Sequence, residues 1–220
     1  MPADALNRRH AMLLDGIAAE LARDGVAVCS GLLPEPLLHA LHADCRAADA
    51  TGALRPAAVG RGTGARQLPA LRGDSTLWIE AAEGLPARGE LLHRLDHLRR
   101  ELNRRLLLGL QEVEVHFAAY PAGTCYVRHV DRFRDDDARV LSFTCYLNPL
   151  WQDDDGGALR LHLPDGPRDV LPRLGTCTLF LSDEIEHEVL PARQARYSLA
   201  GWFRRAPARH RRSAAAAASG

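Results

Sequence analysis

No lysine occurs in this chain. All 28 of its basic residues are arginines, and 28 acidic residues balance them to a formal net charge of zero. That balance leaves no basic field for holding a nucleic acid or an anionic membrane, and no basic stripe with interleaved aromatics appears. The arginines go with abundant alanine, which reads as a compositional bias rather than as phosphate recognition. No apolar run approaches the roughly 20 residues of a membrane span, and the N-terminus lacks the apolar core of a secretory signal. The chain is therefore read as cytoplasmic. Its five cysteines (Cys29, Cys45, Cys125, Cys145 and Cys177) show no Cys-x-x-Cys spacing. An odd, scattered set excludes a zinc ribbon or a disulfide framework and predicts free, mostly buried thiols in a reducing compartment.

At 220 residues the chain fits one domain that can bury most of its apolar surface. The N-terminal half reads as helical support. Leu6, Leu13, Leu14, Ile17 and Leu21 form a stripe at helical spacing between Asp4 and Asp24, and Val26–Cys29 reads as a short strand. Pro34 opens a second helix carrying Leu37, Leu38 and Leu41. A long amphipathic helix follows over Pro86–Gly109, with Leu91, Leu92, Leu95, Leu98, Leu102 and Leu106 inward. His93 and His97 lie one turn apart on it without a third ligand, and are read as solvated. Between these helices periodicity is lost from Thr51 to Arg72, a glycine- and arginine-rich loop of a length that is usually functional. It ends in Arg72-Gly-Asp74, read as an ion-pair anchor with Trp78 packed beneath the loop. After Gln111 the texture becomes short β-rich runs split by turns such as Asp153–Gly157 and Pro164–Pro167, the pattern of a sandwich or jelly roll. Asp135–Asp137 reads as a solvated acidic loop. The tail after Arg205 has no periodic core and is read as disordered.

The stretch Tyr120–Asp131 carries the chemistry. His129 and Asp131 are two residues apart, so on a strand both face the same way. With His187 they complete two imidazoles and one carboxylate, the donor set of non-haem Fe(II) oxygenases, which leaves metal positions open for co-substrate and O2. Arg196, on the next strand, supplies the planar fork that binds a carboxylate such as the far end of 2-oxoglutarate. The alternative reading of each residue alone is a hydrogen-bonded core histidine or a solvated ion pair. Cys125 and Cys145 near this stretch are read as small apolar residues and not as ligands.

Tyr126-Val-Arg-His-Val-Asp131, Tyr146-Leu-Asn148, Gly156-Gly-x-Leu-Arg160, Ser182-Asp with His187-Glu-Val189, and Arg196-Tyr with Trp202-Phe203 follow one another in an order that resembles the 2-oxoglutarate and Fe(II)-dependent prolyl 4-hydroxylases. The branch is that of the hypoxia-inducible-factor hydroxylases and their bacterial relatives. Arg72-Gly-Asp74 followed by Trp78-Ile-Glu80 is similar to the end of that branch's mobile loop. The resemblance covers roughly Asp24–Arg204. It implies an α+β fold, a double-stranded β-helix (jelly roll) over 111–204 with helical support over 1–110, a mobile lid over 52–74, and a tail over 205–220.

The resemblance also implies roles. His129, Asp131 and His187 would hold iron; Arg196, Tyr146, Tyr120 and Leu159 would hold 2-oxoglutarate. Tyr126, Arg139, Trp202, Arg72, Asp74 and Trp78 would line the substrate side. Fe(II), 2-oxoglutarate and O2 follow as cofactors, with ascorbate as reductant. The implied partner is a protein with a loop proline, elongation factor Tu in the bacterial relatives, and the implied state is a monomer with a possible oxygen-sensing role. Two departures stand out. The Tyr120–His129 loop is one residue shorter than in the animal enzymes and Asp131–Arg139 one longer, and residue 200 is Ala where Thr is expected. Two other readings share the triad: a hydroxylase of a free amino acid or other small molecule, and a non-catalytic sensor of iron and 2-oxoglutarate.

Overall fold

The computed structural model describes residues 3–58, 66–68, 70–80, 85–131 and 138–205, with side chains from Arg8 onward. Residues 59–65 and 69 of the expected lid, the acidic run Asp135–Asp137 and the tail from residue 206 lie outside the described residues.

Three helices and eleven strands are described. The helices are α1 (Ala3–Asp24), α2 (Glu35–Ala50) and α3 (Pro86–Leu106). The strands are β1 (Val26–Cys29), β2 (Arg55–Pro56), β3 (Ser75–Trp78), β4 (Glu112–Tyr120), β5 (Tyr126–His129), β6 (Arg139–Tyr146), β7 (Leu159–Leu163), β8 (Gly166–Val170), β9 (Cys177–Leu181), β10 (Glu186–Val189) and β11 (Arg196–Arg204). They form a larger sheet in the order β1-β9-β6-β11-β4-β3-β2 and a smaller one in the order β5-β10-β7-β8, with antiparallel pairing throughout. From β4 onward the chain alternates between the sheets, apart from the β7–β8 hairpin. That winding is the expected double-stranded β-helix.

The helices cover one face of the larger sheet. Leu14, Ile17 and Leu21 of α1, Leu37, Leu38 and Leu41 of α2, and Leu91, Leu95, Leu98 and Leu102 of α3 are buried against Phe117, Phe143, Leu199 and Phe203. Each fully buried leucine contributes roughly 1.5–3 kcal/mol. With both of its faces covered, central β6 is buried along most of its length, with Leu141, Phe143 and Cys145 in the helix-side core and Ser142 and Tyr146 toward the other sheet. A second apolar layer, between the sheets, contains Ala118, Tyr120, Tyr146, Leu159, Phe180 and Val189. The chemistry sits there. No described helix is long and apolar enough to cross a membrane.

Some elements differ from the sequence reading. Helix α3 ends at Leu106, short of Gly109, because Leu107 turns left-handed (φ 53°) and its N–H caps the Asn103 carbonyl. The Asn103 amide then bonds both backbone groups of Leu110 and fixes the exit. Pro164–Pro167 is a turn only in its first half; strand β8 starts at Gly166 and pairs with β7. Strand β3, where the sequence reading assigns no element, pairs with β4 and extends the larger sheet. All five cysteines are free, with Cys145 and Cys177 buried in the helix-side core, away from the inter-sheet layer. His93 and His97 are exposed.

Candidate metal centre

Strands β5 and β10 lie side by side, with His129 directly opposite His187. β5 ends at His129, so Asp131 lies beyond the strand rather than on it, yet its carboxylate turns back between the two rings. Its Oδ1 lies 3.6 Å from His129 Nε2 and its Oδ2 3.6 Å from His187 Nε2. One ligand atom from each of the three residues falls within 4.8 Å of the others, the single such cluster among the described residues.

Each ring is oriented by its other nitrogen. His129 Nδ1 is 2.8 Å from the Val127 carbonyl, and His187 Nδ1 is 3.1 Å from that of Ile185. A carbonyl can only accept, so both Nδ1 atoms carry the proton and both Nε2 lone pairs face the Asp131 carboxylate. Tyr126 stacks on His129 at 3.6 Å between centroids, and the edge of Phe180 packs on His187. Burial holds the His187 imidazole below its usual range, with Asp131 pulling the other way. Burial opposes the Asp131 charge, but His187, His129 and the Ser142 hydroxyl together hold the carboxyl well below the usual carboxylate range. Ser142 Oγ donates to Asp131 Oδ2 at 2.6 Å and lies 3.0 Å from Ser182 Oγ. Neutral imidazoles and an ionised carboxylate, with donors converging from one side, fit a divalent first-row metal with open positions.

Arg196, at the start of β11, is 2% exposed. Its Nε donates to the Gly157 carbonyl at 3.0 Å and its Nη1 to Ser198 Oγ at 3.3 Å. The guanidinium lies about 5 Å over the Tyr120 and Tyr146 rings. No acidic side chain pairs with it among the described residues. A buried guanidinium without a carboxylate is costly, and an anionic ligand removes that cost. Burial pushes the Tyr146 and Tyr120 phenols up against the pull of Arg196, so both remain protonated. The residues therefore fit a dicarboxylate whose far end meets Arg196. Leu159, His129, Asp131, His187 and Arg196 line one cavity.

Of the remaining predicted residues, Arg72, Asp74, Tyr126 and Trp202 line the same cavity, while Arg139 and Trp78 stand behind it against Trp202 and His116. Arg72 and Asp74 form a two-point ion pair (2.7 and 3.0 Å) with Asp74 3% exposed, and Arg72 also lies over Tyr126. Gly73 between them has its N–H on the Cys125 carbonyl, and a Cβ there would come within 2.6 Å of the Thr124 side chain. Arg139 lies 3.4 Å over the Trp202 ring and donates to the Asp131 backbone carbonyl at 3.1 Å. Trp78 lies in β3, outside the cavity lining. It is 49% exposed, because in β3 it pairs opposite His116 and tilts onto that ring.

Several cavity residues escaped the sequence reading, with His116, Ser142, Thr144 and Ser198 the polar ones. His116 and Ser142 both line the site, and strand parity carries the signal for both. His116 shares a face of β4 with Tyr120, and Ser142 shares a face of β6 with Tyr146.

Comparison with known proteins agrees with this geometry. The sequence model of the 2OG-Fe(II) oxygenase superfamily matches residues 115–204. A crystal structure of a Pseudomonas putida prolyl-4-hydroxylase is 46% identical, with a TM-score of 0.78, over 87% of this chain and 98% of that one. A Trichoplax adhaerens prolyl hydroxylase, solved with a peptide of the hypoxia-inducible factor oxygen degradation domain, is 25% identical with a TM-score of 0.83, covering 93% and 94% of the two chains. Human Egl nine homolog 1 is 37% identical over 144 residues, 60% of this chain; the match spans only 33% of that relative's length.

Proposed function

This chain belongs to the 2OG-Fe(II) oxygenase superfamily and, within it, to the prolyl 4-hydroxylases, and from that premise we propose that it hydroxylates a prolyl residue of another protein. The observation that carries the proposal is the convergence of His129 Nε2, His187 Nε2 and the Asp131 carboxylate, in the cavity that a buried arginine with no described acidic partner also lines. In this reading His129, Asp131 and His187 hold Fe(II), and Arg196 with the Tyr146 hydroxyl holds the distal carboxylate of 2-oxoglutarate. Tyr120 and Leu159 wall that subsite. When bound, Fe(II) and 2-oxoglutarate supply O2-dependent oxidation of an unactivated C–H bond, with succinate and CO2 as co-products.

The chain's own residues then orient and enclose. The Nδ1 hydrogen bonds aim both imidazoles, and Ser142 fixes the carboxylate. Tyr126, Arg139, Trp202, Arg72, Asp74 and Trp78 form the substrate side, where a closed mouth excludes water from the reacting centre. Elongation factor Tu is the first protein to test as substrate. Ascorbate as reductant, a monomeric state and an oxygen-sensing role belong to the same proposal; the last requires turnover that varies across physiological O2.

Anaerobic titration with Fe(II) and 2-oxoglutarate, read by the weak visible absorption of the chelate, tests the site. Wild type forms the chelate, His129→Ala does not, and Arg196→Ala needs more 2-oxoglutarate. With O2 and elongation factor Tu, the protein product gains the mass of one oxygen on proline. Folded wild type without a chelate would sink the oxygenase reading. A chelate whose 2-oxoglutarate turnover is stimulated by free amino acids and by no protein would instead make it a small-molecule hydroxylase.

A further inference from the structure

His116 has no role in the site as so far described. Its ring is 2% exposed and lines the cavity, and its Nδ1 has no hydrogen-bond partner among the described residues. The neighbouring ring is Trp202, 5.5 Å away between centroids, and the Trp202 indole Nε1 is likewise buried and without a partner. Trp78 completes a cluster of three rings, 4.8 Å from His116 and 6.2 Å from Trp202 between centroids. Across the strand pair, His116 faces Ala200, which offers no polar group. Two unmet polar atoms are therefore held on neighbouring rings that line one cavity.

Unmet buried polar atoms are destabilising, and a methionine or leucine would fill the His116 position without that cost. A ligand that supplies partners to both atoms removes it. Indole Nε1 can only donate, while a neutral imidazole offers one donor and one acceptor. A polypeptide backbone carries both carbonyls and N–H groups, so a carbonyl of one peptide group can accept from the indole while the N–H of another, not that of the X–Pro bond, donates to the ring nitrogen. We propose that His116 is a specificity-determining residue which, together with Trp202 Nε1, binds backbone carbonyl and N–H groups of the residues flanking the target proline. The role rests on the prolyl-hydroxylase reading given above. It makes the site favour a residue within a polypeptide over a free amino acid, because a site built to hydrogen-bond a group rejects ligands lacking it.

The test compares wild type, His116→Met and His116→Asn as Fe(II) holoenzymes. The substrates are an array of end-blocked prolyl peptides, including those that tile elongation factor Tu. On the best wild-type peptide, His116→Met raises KM by about tenfold, the worth of roughly one buried hydrogen bond, while kcat and the chelate absorption stay within twofold. His116→Asn, which keeps a donor and an acceptor, recovers much of the loss. A purely structural role would move the chelate and kcat as well and would not be rescued by asparagine. Wild type and His116→Met with equal KM would overturn the role of His116 alone, and would mean that solvent meets these atoms. A wild type that forms the chelate but hydroxylates no peptide would overturn the prolyl-peptide reading and this role with it.

Discussion

The Nε of Arg196 donates to the carbonyl of Gly157, 3.0 Å away, and this bond joins the start of β11 to the turn before β7. The arginine reaches that carbonyl only because residue 157 is glycine. Its backbone is left-handed (φ +67°), and a Cβ would lie 2.8 Å from the Ala192 Cβ, 3.1 Å from Trp151 and 3.4 Å from Arg196 Cδ.

Gly157→Ala is accordingly expected to do more than strain a turn. Left-handed strain with a steric clash costs on the order of 1–3 kcal/mol, and relief of the clash moves the carbonyl that anchors Arg196. Thermal denaturation should show a lower midpoint, and the chelate titration should show weaker 2-oxoglutarate binding with Fe(II) binding unchanged. Equal 2-oxoglutarate affinity would mean that Ser198 alone positions the guanidinium.

The Arg72–Asp74 pair makes a second prediction. Asp74 is 3% exposed and its charge is met by both Arg72 nitrogens. Arg72→Met leaves that charge buried without its partner, which costs about 3–5 kcal/mol. Adding Asp74→Asn removes the charge and should restore part of the loss, so the double variant is more stable than the single one in urea denaturation. A double variant less stable than Arg72→Met would show that Asp74 has another partner.

The sequence made most of this architecture legible, for physical reasons. Helices α1 and α3 showed in their leucine spacing. The triad showed because its residues sit in motifs that resemble a known family, since a His-x-Asp spacing alone arises often by chance, and Gly156–Gly157 showed in turn chemistry. Three things did not show. Strand β3 carries too few residues for a period to declare itself. Asp131 reads as a ligand on the strand, and its approach from beyond the strand end is what spacing alone cannot place. His116 sits in a strand whose apolar partners, Val113, Val115 and Phe117, drew attention to the opposite face; counting by two back from Tyr120 would have found it.

His116 also gives a pH signature. Burial, with Arg72 adding to it, lowers its pKa from 6.5 to about 4. The unfolded chain takes up a proton near pH 6.5 that the folded chain refuses until about pH 4. Stability from this group is therefore complete above pH 6.5 and is lost as pH falls through that window. Between pH 7 and pH 5 the loss is about 2 kcal/mol. Urea denaturation of the metal-free chain at the two pH values should show that loss in wild type, and a loss smaller by about that amount in His116→Met. Identical pH dependence in the two proteins would mean that His116 reaches a proton partner within the fold.

Ser142 provides the last prediction. Its hydroxyl donates to Asp131 Oδ2 at 2.6 Å and is itself 3.0 Å from Ser182 Oγ, so it holds the carboxylate between the two imidazoles. Ser142→Ala keeps all three ligands but frees the carboxylate to rotate. Loss of a group that orients a metal ligand typically costs about 10–100-fold in metal affinity, while the loss of one buried hydrogen bond costs only about 1 kcal/mol of fold stability. Anaerobic Fe(II) titration should therefore separate Ser142→Ala from wild type by at least tenfold, although the metal-free proteins melt within a few degrees of each other. Ser142→Thr, which keeps the hydroxyl, should bind nearly as wild type does. If Ser142→Ala binds Fe(II) as tightly as wild type, then Asp131 is held by its histidine neighbours and by the Arg139 contact to its carbonyl, and the serine is only a filler of the inter-sheet layer.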